Sequence, residues 1–103
     1  MPDVPIIDSH VHLWDPQRFR MPWLAELDRI KRRFALDEYT TATAAHTVEA
    51  LVVVEAGVDP AQALDEAQWL AALARQEPRL RGIVAAASLE HGAQVRAHLE
   101  ALV

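Results

Sequence analysis

Three short apolar runs alternate with segments of helical spacing, and this alternation constrains the fold more than any other feature of the chain. The runs predict strands at residues 5–12, 48–55 and 82–87. In the second run, Leu51-Val52-Val53-Val54 is apolar on both faces, as in a buried strand of a parallel sheet. Strand–helix–strand units join parallel strands through right-handed crossovers. The sequence therefore predicts an α/β fold, a (βα)₃ unit with parallel strands.

The segments between the predicted strands carry the signals of helices. Asp37 is expected to cap one helix. Asp59 is expected to cap a second helix, and Pro60 is expected to occupy its first turn. Pro78 is expected to end that helix. Helices are expected near residues 24–34 and over 38–46, 61–76 and 92–103. The buried stripe of the 61–76 helix is predicted to contain Leu64, Ala67, Leu70 or Ala71, and Ala74, widened by Trp69 and Leu73.

The first predicted strand ends in two histidines separated by one residue. Because side chains alternate between faces along a strand, Asp8, His10 and His12 are expected on one face. Two imidazoles held side by side can bind one divalent ion, and Asp8 is placed to orient a ring. Ligands bind at the C-terminal ends of parallel strands, so the histidines are predicted to form a site. The alternative is a pair of half-exposed histidines without a ligand.

The residues that follow the first two strands are candidates for the same site. Glu55 ends an apolar strand, where a carboxylate is costly unless it is paired or ligating; the alternative is a solvated loop residue. Trp14 and Trp23 lie in the long first connection and are predicted to line the mouth of a pocket, with Arg18 or Arg20 reaching an anionic substrate group. The alternative is that both tryptophans pack this connection onto the fold.

The composition of the 103 residues narrows the classes of function. A net charge of −5 argues against a nucleic-acid partner. With no cysteine, the sequence has neither a disulfide framework nor a thiolate metal site. Asp3 and Pro5 stand where a secretory signal has basic and then apolar residues, and no apolar run reaches the roughly 20 residues of a membrane span. We therefore expect a cytoplasmic protein with no membrane partner, and the pocket predicted above is expected to take a small-molecule substrate.

Four stretches of the sequence carry a family resemblance: residues 7–16, 21–24, 52–57 and 82–84. Taken in order, they resemble the start of an amidohydrolase-related hydrolase of the sugar-lactonase and 2-pyrone-4,6-dicarboxylate lactonase-like branch. The resemblance implies a (β/α)₈ barrel with its active site at the C-terminal ends of the strands. It also implies that His10 and His12 bind a divalent metal, commonly zinc, and that Glu55 is an active-site glutamate. Some lactonase-like members use no metal, and these histidines then bind the carboxylate or carbonyl of the substrate.

The resemblance further implies that residues 1–103 are the N-terminal part of such a barrel, because a complete one has about 250 residues. The activity that it implies is hydrolysis of a lactone of a sugar acid or a related carboxylate. One alternative is a decarboxylase or deaminase of the same superfamily. Another is a catalytically silent fragment that binds a partner, or a second copy of itself, through exposed sheet edges.

Overall fold

A computed structural model describes residues 4–103, and it contains one three-stranded parallel sheet with helices packed on one face. The strands are β1 (Ile6–Val11), β2 (Val48–Val54) and β3 (Leu80–Val84). The central strand, β2, pairs in parallel with both neighbours. The predicted α/β fold with three parallel strands is therefore confirmed, although β3 begins two residues earlier and ends three residues earlier than expected. Asp3 lies outside the described residues.

Three α-helices follow the strands along the chain: α1 (Leu36–Ala42), α2 (Ala63–Gln76) and α3 (Arg96–Leu102). Short 3₁₀ segments occupy Pro22–Leu24, Pro60–Gln62 and Leu89–Val95. The predicted cap at Asp59 is confirmed, because its Oδ1 accepts a hydrogen bond from the Ala61 amide at 2.9 Å. Within residues 4–103, no helix is both long enough and apolar enough to cross a membrane.

The cap predicted at Asp37 is wrong. The N-cap residue of α1 is Ala35, whose amide donates to Oε1 of Glu38 at 3.2 Å. Asp37 lies inside the first turn and forms an ion pair with Arg33 at 2.9 Å. The helix also ends before residue 46, because the next amides donate to carbonyls three residues back instead of four: Ala44 to Thr41 at 3.3 Å and His46 to Thr43 at 2.9 Å.

The helix predicted near residues 24–34 is also absent from the described chain. These residues are part of a closed loop that runs from residue 14 to residue 34. The Trp14 and Phe34 backbones exchange two hydrogen bonds of 2.8 and 2.9 Å, which tie the ends of the loop together. Leu24, 1 % exposed, packs inside this loop in a cluster with Phe19 and Met21. At the other end of the chain, Gly92 has a φ of 63° and delays the third helix until Arg96.

The main core lies between the sheet and the helices, and this leaves the sheet with one covered and one open face. Leu51 and Val53 of β2 are fully buried on the covered face. Ile7 and Val84 lie on the open face and are 66 % and 51 % exposed. The covered cluster consists of Val11, Leu13, Val48, Leu51, Val53, Leu70 and Leu80. A second cluster beneath the first connection consists of Phe19, Met21, Leu24, Ala56 and Val58.

Candidate functional site

The structure brings the two predicted histidines together at the carboxyl edge of the open face. Between them, Val11 is 5 % exposed and packs into the covered core, so His10 and His12 project to the other side. Their Nε2 atoms are 3.2 Å apart, and the rings meet edge to face with centroids 4.9 Å apart. Two nitrogen atoms thus converge on one point in front of the sheet.

Asp8 does not share this face, and the expectation that it orients a histidine ring is wrong. Asp8 pairs with Leu51, and Val11 pairs with Val53, so β1 contains one extra residue between these two pairs. Such a bulge reverses the alternation of side chains. The Asp8 carboxylate therefore turns toward the helices, where Oδ2 accepts from the Tyr39 hydroxyl at 2.8 Å and Oδ1 accepts from the His10 amide at 3.3 Å. Asp8 thus holds the backbone of His10.

The hydrogen bonds of His12 define which of its ring nitrogens carries the proton. Its Nδ1 lies 3.1 Å from the carbonyl oxygens of both Val54 and Glu55. Carbonyl oxygens only accept, so Nδ1 must be the protonated nitrogen. In the neutral form of His12, Nε2 therefore presents a lone pair, and we assign His10 Nε2–H as the donor in the 3.2 Å contact between the rings.

The segment of residues 54–57, which we call the β2–α2 turn, connects the histidines to their surroundings. Glu55 is half-buried there, and its Oε2 accepts from the Gly57 amide at 2.7 Å. The Ala56 carbonyl accepts from the Trp23 indole Nε1 at 2.8 Å. Gly57 has a φ of +69°, and a Cβ built on it would lie 3.1 Å from the Trp23 Nε1. The turn thus places Glu55, Trp23 and the His12 ring against one backbone.

Sequence analysis missed Glu66, a buried carboxylate behind this turn. Glu66 is 2 % exposed, and its Oε2 accepts from the Ala56 amide at 2.9 Å. Burial raises the pKa of Glu66, while the hydrogen bond from Ala56 opposes that rise. A signal was present, since Glu66 lies three residues after Ala63 and four before Leu70, and these residues form the buried stripe of α2.

A cavity of about 410 Å³ adjoins His12 at this edge. The two tryptophan rings meet edge to face along it, with centroids 5.6 Å apart. Trp14 also packs against Phe34 at 5.0 Å, so it lines the cavity and anchors the first connection at once. Its indole Nε1 is buried without a hydrogen-bond partner among residues 4–103. The cavity is lined by His12, Trp14, Trp23, Glu55, Ala56 and Gly57.

The two arginines predicted to reach an anionic group lie elsewhere. Arg20 Nε is 3.0 Å from Oδ2 of Asp59, and Arg20 lines a separate cavity of about 370 Å³ beneath the first connection. The Arg18 guanidinium lies over the Trp69 ring, 5.8 Å from its centroid. An anion-binding role for Arg20 stays a prediction that the contacts of this chain do not favour.

The described residues contribute two nitrogens toward a metal site. Within residues 4–103, no set of three or more His, Cys, Asp or Glu side chains is grouped closely enough to hold a metal ion. The 3.2 Å separation of the Nε2 atoms nevertheless fits shared ligation. Two nitrogens at that separation, each about 2.0–2.1 Å from one zinc ion, subtend roughly 100°, which is near the tetrahedral angle.

Comparisons with known proteins give one curated relative and one solved structure of interest. No family model matches the chain. Uncharacterized protein y4mH of Sinorhizobium fredii is 27 % identical over 93 residues, an alignment that covers 82 % of this chain and 31 % of that protein. The fold is similar to that of amidohydrolase 2 from Bifidobacterium longum subsp. infantis, with a TM-score of 0.64 and 28 % sequence identity.

The likeness to the amidohydrolase covers 79 % of this chain and 32 % of the other. This chain thus spans about a third of the length of either protein that it matches. The structural match supports the amidohydrolase-like resemblance, and together with the parallel sheet it confirms the predicted (βα)₃ portion of a barrel. The lactonase branch and the placement of residues 1–103 as an N-terminal part stay predictions.

Proposed function

We propose that this chain forms part of the active site of an amidohydrolase-like hydrolase whose substrate is a lactone of a sugar acid or a related carboxylate. The observation that carries the proposal is the 3.2 Å approach of the His10 and His12 Nε2 atoms at the carboxyl edge of a parallel sheet. This edge is where barrels of parallel strands bind their substrates. The 28 % identity to an amidohydrolase supports the hydrolytic class. The choice of a lactone as the substrate rests on the sequence resemblance.

We assign His10 and His12 as ligands of a divalent ion, with zinc the expected one. When bound, such an ion supplies polarisation of a carbonyl and activation of water. Because His12 is protonated on Nδ1, its Nε2 is already free to ligate, whereas His10 must move its proton from Nε2 to Nδ1. If the protein uses no metal, the same two nitrogens meet the carboxylate or carbonyl of the substrate.

The remaining residues at the cavity take the roles of proton transfer and substrate contact. Glu55 Oε2 is engaged by the Gly57 amide at 2.7 Å, so we assign Oε1 to accept a proton from the attacking water. The water oxygen then bonds to the lactone carbonyl carbon, the ring C–O bond breaks, and the ring oxygen takes up the proton that Glu55 accepted from the water, which restores the Glu55 carboxylate. Trp14 and Trp23 provide the apolar wall against which the substrate ring lies.

A substrate panel tests this proposal. The chain and the similar amidohydrolase are assayed side by side against sugar-acid lactones, against amides, and against substrates of deamination and decarboxylation. We expect this protein to turn over lactones, and we expect a large loss of that turnover in Glu55→Gln. Turnover of another class with no lactone hydrolysis would overturn the substrate, and would favour the deaminase or decarboxylase alternative.

A second candidate function, self-association without catalysis, is favoured by the open face of the sheet. Ile7 and Val84 are large apolar residues, 66 % and 51 % exposed on one surface. Exposed apolar residues on a shared surface are typical of contact sites. Light scattering distinguishes the two candidates: a stable dimer that dissociates when Ile7 and Val84 are replaced by Thr supports association, whereas a monomer at all concentrations argues against it.

A further inference from the structure

We propose that Glu66 is a positioning residue for His12, which it serves by holding the Ala56 amide and thereby the β2–α2 turn. The inference rests on the proposed function in one respect, namely that His12 is a functional residue. It adds the means by which the ring of His12 is kept in the tautomer that exposes Nε2 to an ion or a substrate.

The route from Glu66 to His12 is a short series of hydrogen bonds. Glu66 Oε2 accepts from the Ala56 amide at 2.9 Å. The peptide group that carries this amide also carries the Glu55 carbonyl, which lies 3.1 Å from Nδ1 of His12. Fixing one side of this peptide therefore fixes the acceptor on its other side. The Ala56 carbonyl in turn accepts from Trp23 at 2.8 Å, so the same anchor also sets the wall of the cavity.

Packing alone does not explain a carboxylate at this position. Glu66 lies on the buried stripe of α2 between Ala63 and Leu70, where an apolar side chain fills space without the desolvation of a carboxylate. The polar group that Glu66 contacts is the Ala56 amide, which would otherwise be a buried donor without an acceptor. The Glu66 carboxylate thus supplies the acceptor that the β2–α2 turn requires.

Loss of this acceptor should release the tautomer of His12. In water a neutral imidazole favours the proton on Nε2, and His12 departs from that preference because two carbonyls receive its Nδ1–H. If the β2–α2 turn relaxes, the proton of His12 returns to its Nε2, where it faces the Nε2–H of His10. The two nitrogens then repel each other, and neither presents a lone pair to the shared point.

Long-range ¹H–¹⁵N spectra of the histidine side chains test the proposal, recorded on the full chain above the pH range of histidine titration. Glu66→Leu removes the acceptor, and Glu66→Gln keeps one. Asp65→Leu is the matched control, because Asp65 precedes Glu66 on the same helix and is exposed. We expect His12 protonated on Nδ1 in the wild type, in Glu66→Gln and in Asp65→Leu. In Glu66→Leu the Nδ1–H form should fall to a minority, with zinc affinity lowered about 10- to 100-fold.

An Nε2–H tautomer of His12 in the wild-type chain would overturn the proposal, as would an unchanged tautomer in folded Glu66→Leu. Should Glu66→Leu not fold, the Gln variant decides: a retained Nδ1–H form supports the role of the acceptor oxygen, and its loss contradicts it. If the proposed function fails and this inference holds, the result is different: the His12 tautomer changes in Glu66→Leu, while the protein neither binds metal nor hydrolyses a lactone.

Discussion

Replacing Gly57 by Ala should displace the Trp23 wall of the cavity. Gly57 has a φ of +69°, and an added Cβ would meet Trp23 Nε1 at 3.1 Å and Cδ1 at 3.3 Å. The left-handed backbone costs a non-glycine residue roughly 1–2 kcal/mol. Moving the indole also breaks its 2.8 Å hydrogen bond to the Ala56 carbonyl, which is worth about 1 kcal/mol. Together these terms lower the free energy of unfolding by about 2–3 kcal/mol.

Urea unfolding followed by the indole N–H resonances measures both parts of this effect. Gly92→Ala is the control, because Gly92 also has a positive φ, +63°, but a Cβ there has nothing within 4 Å. Gly92→Ala should lower stability through the backbone alone and leave the Trp23 resonance in place. Gly57→Ala should lower stability and shift the Trp23 resonance.

An unchanged Trp23 resonance in Gly57→Ala would refute this reasoning, because the indole would then not rest on the β2–α2 turn. A Trp23 shift of equal size in Gly92→Ala would refute it as well, since the displacement would then be a general consequence of lost stability.

Three further predictions concern the framework that carries the site. Burial and the hydrogen bond to Asp8 raise the pKa of Tyr39, the single tyrosine, to about 12 from the ordinary 10.0, so the ultraviolet titration of the chain should show that midpoint. Since the folded pKa is raised, the associated stability is complete below pH 10 and is lost as the pH rises toward about 12; Tyr39→Phe should remove this dependence. Leu70→Ala, at a core position 1 % exposed, should lower the free energy of unfolding by about 2–5 kcal/mol in urea titrations. Asp59→Ala should lower the melting temperature more than Asp59→Asn does, because Asn keeps an oxygen for the Ala61 amide and loses only the charge facing Arg20.

The parallel direction of the strands followed from the sequence because it depends on local signals. The all-apolar run 51–54 identified a buried parallel strand, and Asp59 with Pro60 marked the start of the helix after it. The two histidines at the end of β1 were placed correctly at the carboxyl edge, since that placement depends only on strand direction.

The errors came from contacts between segments that are distant in sequence. Counting alternate residues placed Asp8 with the histidines, but a bulge against β2 turns it to Tyr39. Residues 24–34 contain enough apolar residues for a helix, yet the bridge from Trp14 to Phe34 closes them into a loop. Glu66 was passed over because a charged residue is ordinarily exposed, and its partner, the Ala56 amide, is a backbone group that no side-chain pattern reveals.

Zinc titration calorimetry tests most directly the claim that His10 and His12 form one site. Wild-type chain, His10→Ala and His12→Ala are compared with His46→Ala, whose histidine lies just before β2, at the opposite edge of the sheet. We expect one weak zinc site in the wild type, a loss of affinity of about tenfold or more in each of the first two variants, and no change in His46→Ala. Equal zinc affinity in the wild type, His10→Ala and His12→Ala would contradict the claim.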